Sequence, residues 1–431
     1  MKRILAFLLA LCLSGAASAQ SLAPAKPEEV GLSSERLAKI GTVFNEEIER
    51  GRIPGAVIAV ARKGRLVYFE SFGFRDKASG APMPKDAIFR IYSMTKPLAT
   101  VAAMMLMEDG KIQLADPVAK YLPEFAHMEV SVPRLDPFGK AAYSLIPAEH
   151  PMTIQDLMRH TAGLAYGEIT ANPQIKEAFI KAGLYRPDVR DFDVRDLQPA
   201  EEVTRLAKIP LVHEPGTVWE YSLAVDVLGR VVEKVSGQRL GDFIEKRIAA
   251  PLKLKDTGFT VPAAALPRLA EPLAIDPATG NPNHLIDVTA IPGNDSGGAG
   301  GVSTASDYLR FIEALLEGGK LEGVRILSRT SVALMTSDQL GSLGRTVTPG
   351  EALIGSPGYS FGLGFAVRLG PGLANVAGSE GEFMWAGAAG TYFWVDPREQ
   401  LVAVMMTQAP GPSRPWYRRE IKELVYQAII D

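Results

Sequence analysis

Phe89-Arg90-Ile91-Tyr92-Ser93-Met94-Thr95-Lys96-Pro97 sets a serine and a lysine three residues apart, with a proline directly after. The residues that follow, Leu98 to Met107, are rich in Ala, Met and Leu and favour a helix, which Asp109-Gly110 would end. Pro97 lacks an N–H and is tolerated only near a first helical turn, so the helix is expected to begin close to Ser93. At that spacing Ser93 and Lys96 share one helix face. Ser93 would then sit at the positive end of the helix dipole, where an oxyanion is favoured. A serine hydroxyl is a poor nucleophile until a neighbour takes its proton, and a partly desolvated lysine can do that or support the group that does. S-x-x-K alone recurs by chance. Here it opens an apolar helix, where a buried lysine is costly without a purpose.

Outward from this stretch, the chain reads as strands at both ends and helices between. Ser33-Ser34 caps a helix carrying Leu37, Ile40, Phe44 and Ile48 at helical spacing, and Gly51 ends it. Ala56–Ala61 and Leu66–Phe72 read as a β-hairpin around Arg62-Lys63-Gly64-Arg65. From Leu114 to about Gly298, Pro- and Gly-rich loops separate short helices and no strong strand pattern is evident. Thr153-Ile154-Gln155-Asp156 resembles a capping box. Leu223, Val227, Leu228, Val231 and Val235 mark a helix closed by Ser236-Gly237, and Thr304 caps another running to Leu316. Beyond it, Tyr359–Val367, Phe383–Ala388, Thr391–Val395 and Leu401–Thr407 read as strands, and Ile421–Ile429 as a last amphipathic helix. The expectation is an α+β fold: one antiparallel sheet built from both termini, flanked by helices, with a mainly helical insertion. The corresponding domains are 20–113 with 299–431, and 114–298, with an active site between them.

The 431 residues are 47% hydrophobic and 22% charged, an ordinary globular balance. No basic run points to nucleic acid. Lys2-Arg3, the apolar run Ile4–Leu13 and Ala17-Ser18-Ala19 read as a signal peptide, residues 1–19, cleaved before Gln20. The run is too short to span a membrane, so no stable insertion is expected after cleavage. Cleavage would take the formal charge from −3 to −5 and would remove Cys12, the only cysteine. The mature chain would then carry no disulfide and no thiolate metal site. The five histidines form no H-E-x-x-H pair, so no metal and no cofactor is expected. The expected location is the periplasm or the medium.

Tyr221 follows His213-Glu214-Pro215-Gly216 and Trp219-Glu220 and leads into the Leu223 helix. A tyrosine at a helix start can be held over a pocket, and beside a cation it can act as general base toward Ser93. It can equally be a packing partner of Trp219. Met384-Trp385-Ala386-Gly387-Ala388-Ala389-Gly390 is an apolar strand of mostly small residues. Such a strand lets a substrate lie along its edge, and one of its N–H groups with that of Ser93 could form an oxyanion hole. Small residues there also suit a central strand under a packed helix. Gly358-Tyr359-Ser360-Phe361-Gly362 matches G-x-S-x-G, but strand follows it where that motif needs a helix, so Ser360 is read as structural. His160 ends a short helix and is read as a loop-fixing or capping residue.

The order Ser93-x-x-Lys96, Tyr221, then a small-residue strand resembles the serine β-lactamase and penicillin-binding protein superfamily. The likeness is greatest to class C β-lactamases and the β-lactamase-like (family VIII) carboxylesterases. His160-Thr161-Ala162-Gly163-Leu164, Pro215-Gly216-Thr217, Gly297–Thr304 and Tyr359–Gly364 support it, and it runs from about Gly31 to the end. The resemblance implies a β-lactamase/transpeptidase-like fold and an acyl-enzyme mechanism. Ser93 would be the nucleophile, Lys96 and Tyr221 the proton-transfer partners, and the N–H groups of Ser93 and Ala388 the oxyanion hole.

Two positions depart from the lactamase pattern. Tyr-x-Asn reads Tyr221-Ser222-Leu223, and Lys-Thr-Gly reads Trp385-Ala386-Gly387. The missing amide, cation and hydroxyl would bind the carboxylate and amide of a β-lactam or peptide. A hydrogen bond to a charged group contributes about 1.5–3 kcal/mol, so their loss favours a neutral ester. Tryptophan at 385 resembles the esterase branch. Trp385, Ala386, Gly387 and Leu223 are therefore the expected substrate contacts, Trp385 as a pocket wall. The expected partner is a small-molecule ester, cleaved by a secreted serine hydrolase. The rival readings are a β-lactamase or D-amino-acid amidase or peptidase, and a β-lactam sensor that acylates without turnover.

Overall fold

The computed structural model describes residues 22–139, 141–187 and 194–431, so the expected signal peptide lies outside the described residues. Ser33 caps α1 (Ser34–Glu49), its side chain accepting the Arg36 N–H at 3.2 Å. The hairpin β1 (Gly55–Arg62) and β2 (Arg65–Asp76) follows, then α2 (Thr95–Glu108). Two runs within the segment expected to be helices and loops alone pair as a long hairpin, β3 (Glu129–Leu135) and β4 (Ala141–Pro147). The outer half of β3 is exposed, and Pro133 with Arg134 breaks the apolar alternation that would have revealed the hairpin. The Thr153 capping box is present and opens α3 (Ile154–Met158). Helix α4 (Ala224–Ser236) ends at Gly237, whose φ of 70° is the left-handed cap conformation. Thr304 caps α5 (Ala305–Leu316).

The run Tyr359–Val367 is not one strand. It is a tight hairpin of β5 (Tyr359–Phe361) and β6 (Ala366–Arg368), closed by the Gly362 N–H donating to Phe365 C=O at 2.8 Å. Gly364 has φ 92°, and a Cβ there would sit 2.8 Å from Thr100 Oγ1, so the turn requires glycine. Then come β7 (Phe383–Ala386), β8 (Tyr392–Asp396), β9 (Leu401–Thr407) and α6 (Arg414–Tyr426).

These strands form one antiparallel sheet of eight, in the order β5-β6-β7-β8-β9-β1-β2, with Ala81–Pro82 as the last edge. The first and last parts of the chain meet where β1 pairs with β9, Val60 opposite Ala403. All eight residues of β1 are buried, so with alternating side chains both faces are covered. Helix α5 packs on β1, β8 and β9, and α1 packs on β1, β2 and α6. Helix α2 is buried from Thr95 through Leu106 and packs on α4, while the turn before it lies against β7. The start of α2 is thereby pressed between the sheet and the helical segment.

One buried group works against this core. Glu313 on α5 is 1% exposed and neither carboxylate oxygen has a partner. Burial, reinforced by the Glu317 charge, pushes it up to about 7 from its ordinary 4.5. Between these values the folded chain binds the proton that the unfolded chain releases, so stability falls as pH rises through about 4.5 to 7. Glu313→Gln should remove that loss. Urea melts should show it more stable than the parent by about 1–3 kcal/mol at pH 8 and nearly equal at pH 5.

Candidate active site

Ser93 sits in a one-turn 3-10 helix, Tyr92–Met94, directly before α2. The helix therefore begins where Pro97 requires. Tyr92 has φ 44°, a costly backbone conformation for a side-chain-bearing residue. It is held by Thr95 Oγ1, which donates to Tyr92 C=O at 2.6 Å and accepts the Gly301 N–H at 2.9 Å. This bend presents Ser93 half-buried at the surface of an otherwise closed core.

The sequence-predicted catalytic residues converge. Tyr221 Oη lies 2.6 Å from Ser93 Oγ, across 128 residues of chain. Lys96 Nζ donates to Ser93 Oγ at 3.3 Å and to Gly298 C=O at 2.8 Å. The Gly298 N–H in turn donates to the buried Asp226 carboxylate at 3.0 Å, and a Cβ at residue 298 would collide with that carboxylate. The Gly297–Thr304 stretch is thus a glycine turn that carries a carbonyl to the lysine.

A residue not singled out from the sequence completes the group. Lys96 Nζ donates to Tyr166 Oη at 3.0 Å, and it lies 5.4 Å from the centroid of the Tyr166 ring and 4.8 Å from that of Tyr221. Burial first, then the neighbouring Tyr221, holds Tyr166 well above the ordinary tyrosine range, with a hydrogen bond to Tyr221 contributing. Tyr166 is therefore a proton-bearing phenol that accepts from Lys96 and supports the Tyr221 oxygen. Its only local sign is an aromatic residue two beyond Gly163-Leu164, which no periodicity marks.

Behind Tyr221 lies an aromatic wall. Its ring centroid is 5.0 Å from His160 and 5.4 Å from Trp385, and both of these also flank Phe361. His160 does more than end a helix. Its C=O accepts the Glu220 N–H at 3.0 Å and its Nδ1 lies 3.2 Å from Ser222 Oγ, so it fixes the loop on both sides of Tyr221. Burial, then the Lys96 charge, keeps it well below the usual histidine range and neutral. Ser360 is fully buried and hydrogen-bonded to Asp338, with no access to substrate.

The expected substrate contacts are placed differently. Trp385 is 1% exposed, Ala386 3% and Leu223 0%. Trp385 therefore stands as a prop under Tyr221 instead of an open pocket wall, and Leu223 faces the core at the start of α4. Gly387 is buried, and a Cβ there would sit 2.3 Å from Ile91 C=O, so the close approach requires glycine. Only Ala388 of this stretch is exposed, and its N–H has no hydrogen-bond partner among the described residues. Among the described residues no group of three or more His, Cys, Asp or Glu is placed to hold a metal.

The geometry separates the two tyrosines. Tyr221→Phe deletes the oxygen touching Ser93 and should lower kcat on p-nitrophenyl butyrate by about 10²–10⁴-fold, the range for a positioned proton-transfer group. Tyr166→Phe deletes a supporting hydrogen bond worth about 1 kcal/mol, so the loss should be nearer tenfold. Equal losses in two folded variants would show that the roles are shared.

Comparison with known proteins matches the beta-lactamase family model over residues 40–426. A protein of Mycobacterium tuberculosis, Rv1367c, is 34% identical over 85% of this chain and 88% of its own. Esterase EstB of Burkholderia gladioli is 31% identical over 86% of this chain and 90% of its own. Among solved structures, EstCE1, described as a hydrolase with promiscuous acyltransferase activity, is 31% identical and superposes with a TM-score of 0.71, covering 91% of this chain and 99% of EstCE1. The eight-stranded sheet, the Ser93 turn packed against its strand β7 and a family match across nine-tenths of the length agree: this chain belongs to the β-lactamase/transpeptidase-like superfamily of hydrolases.

Proposed function

We propose that this protein is a secreted or periplasmic carboxylesterase that works through an acyl-enzyme on Ser93. The observation that carries the reading is the 2.6 Å contact between Tyr221 Oη and Ser93 Oγ, with Lys96 bonded to the same serine. Ser93 Oγ adds to the ester carbonyl carbon while its proton passes to the Tyr221–Lys96 pair. The carbonyl electron pair moves onto oxygen and faces the Ser93 and Ala388 N–H groups. Collapse expels the alcohol, which takes up the proton, and water then repeats the sequence on the acyl-enzyme. The open site, with Ala388 exposed and Ser93 half-buried, also admits an alcohol in place of water, which would give acyl transfer.

Two features support an ester over a β-lactam. Trp385 and Leu223 occupy the places of the lactamase lysine and asparagine, and both are apolar and buried. The similarity to esterase EstB points the same way. A β-lactam carboxylate would have to shed water beside this strand without a cation at residue 385 to replace it.

Ser93 should carry the adduct after treatment with a fluorophosphonate, read by mass spectrometry of the peptide holding it. Ser93→Ala should lose essentially all turnover of short p-nitrophenyl esters. An adduct on Ser360, or activity surviving Ser93→Ala, would overturn the mechanism.

Trp385, packed against Tyr221 and Phe361, bears on this reading through position. In a variant that still folds, Trp385→Phe should lower kcat for short and long esters by a similar factor, because it loosens Tyr221. Loss of a large buried ring portion should cost up to about 3 kcal/mol in thermal melts. A change confined to one acyl length would instead put Trp385 in contact with substrate.

A further inference from the structure

Arg418 is unusual for a residue of the last helix. It is 4% exposed, on the buried face of α6 with Tyr417, Ile421 and Leu424. Among the described residues it meets no carboxylate. Its Nη1 donates to Leu353 C=O at 2.9 Å, its Nη2 donates to Gly387 C=O at 2.7 Å, and its Nε has no partner. A buried guanidinium without a counter-anion is costly, and a fold keeps one only where its charge is used.

The carbonyl it holds identifies the use. Gly387 C=O and Ala388 N–H are the two ends of one peptide unit. The same carbonyl accepts the Gly390 N–H at 3.1 Å, and the Gly387 N–H donates to Thr391 C=O at 2.9 Å, so the unit is fixed in a tight turn. The turn is pressed against Ile91, two residues before Ser93, closely enough to exclude any Cβ at residue 387. Ala388 is exposed at this turn, and its N–H has no acceptor among the described residues. A charged donor on a carbonyl draws electron density from the nitrogen of the same peptide and makes its N–H a stronger donor.

We infer that Arg418 is a positioning residue for the oxyanion hole, orienting and polarising the Gly387–Ala388 peptide so that the Ala388 N–H is a preorganised donor to the anionic oxygen. The inference rests on the acyl-enzyme reading above. Arg414 backs the next peptide in the same way, its Nη1 donating to Ala388 C=O at 2.7 Å. Burial, and then the Arg414 charge, brings Arg418 down to about 9, which still leaves it cationic at neutral pH; both arginines lie within electrostatic range of Tyr221. Asp276 lies within electrostatic range of Arg414, whereas no carboxylate meets Arg418 among the described residues; a negative charge at the Ala388 N–H arises when Ser93 adds to the ester and the carbonyl electron pair becomes an alkoxide. Arg418 therefore acts on the transition state more than on the bound ester, and its loss should appear in kcat and not in KM.

The test uses Arg418→Met and Arg418→Lys in the full chain. Folding is checked by thermal melts, and competent sites are counted by fluorophosphonate labelling. The readouts are kcat and KM for p-nitrophenyl butyrate, and the inhibition constant of phenylboronic acid, whose serine adduct is tetrahedral and anionic. In Arg418→Met, kcat should fall by about tenfold to a hundredfold, less than the 10²–10³ of deleting an oxyanion donor outright, with KM changed less than about twofold. Boronate affinity should fall by the same factor as kcat, and the infrared stretch of the acyl-enzyme carbonyl should move to higher frequency. A folded variant with parental kcat and boronate affinity overturns the inference. So does a loss of kcat that leaves boronate affinity and the carbonyl stretch unmoved, because that is the mark of a structural role. If Arg418→Met does not fold, Arg418→Lys is read by the same rule, since a compact ammonium does not reproduce the planar guanidinium fork that reaches Leu353 C=O and Gly387 C=O. Failure of the parent chain to acquire any adduct on Ser93 would overturn the acyl-enzyme reading itself, and this inference with it.

Discussion

Lys96 is the group on which the rest of the site depends. It is 1% exposed, and a buried ammonium is expensive unless its donors are met. The fold meets all three, with Gly298 C=O, Tyr166 Oη and Ser93 Oγ, and sets two aromatic rings around the charge. Lys96 forms no ion pair among the described residues. The nearest compensation is relayed: Asp226 accepts the Gly298 N–H, and Gly298 offers its carbonyl to the lysine. A direct carboxylate would hold the lysine more tightly, but it would also compete with Ser93 and Tyr221 for the proton. A relay through a peptide keeps the positive charge facing the serine.

That arrangement explains why distant segments must agree. Ser93 and Lys96 come from the start of α2, Tyr166 from the loop beyond α3, Tyr221 from the start of α4 and Gly298 from a glycine turn just before α5. None of these lies on the sheet. The sheet supplies β7, and so the Ala388 N–H, and the turn before α2 is packed against that strand. Catalytic geometry is then a matter of how the helical segment seats on the sheet. The strained Tyr92 bend is tolerable only because Thr95 and Gly301 fix it from both sides.

Much of this was legible in the sequence where the signal was local. The caps at Ser33, Thr153 and Thr304, the glycine ending α4 and the helix start set by Pro97 are each decided within one turn of chain, and the structure places them as expected. The sheet drawn from both termini followed from strand-forming runs at each end of the chain. Errors arose where a local pattern was broken or incomplete. The β3–β4 hairpin has Pro133 and Arg134 within β3 and no charge but also no clean apolar alternation in β4. The Tyr359–Val367 run is continuous in β propensity, yet it folds back within four residues because glycines allow it. Asp226 and Arg418 had no local sign, and Tyr166 only that of an aromatic residue just beyond Gly163-Leu164. Each acts through a partner 30 or more residues away, and only the tertiary fold makes that neighbourhood.

The placement of charge also bears on why a tryptophan can stand where a lactamase would carry a lysine. A lysine at 385 would point toward Tyr221 from the front of β7 and add a cation beside Lys96 in a poorly solvated space. Here Arg418 and Arg414 instead bond to backbone carbonyls just past the strand, those of Gly387 and Ala388. A cation in front of the strand binds an anion already present in the substrate and so strengthens ground-state binding. Cations bonded to those carbonyls act through peptide dipoles on an anion that exists only during reaction. Under the proposed function, the first arrangement would select carboxylate-bearing substrates by KM, and the second would accelerate neutral ones through kcat. Moving the charge from residue 385 to those carbonyls leaves room for an apolar prop at 385, and Trp385 uses it to hold Tyr221 against Ser93.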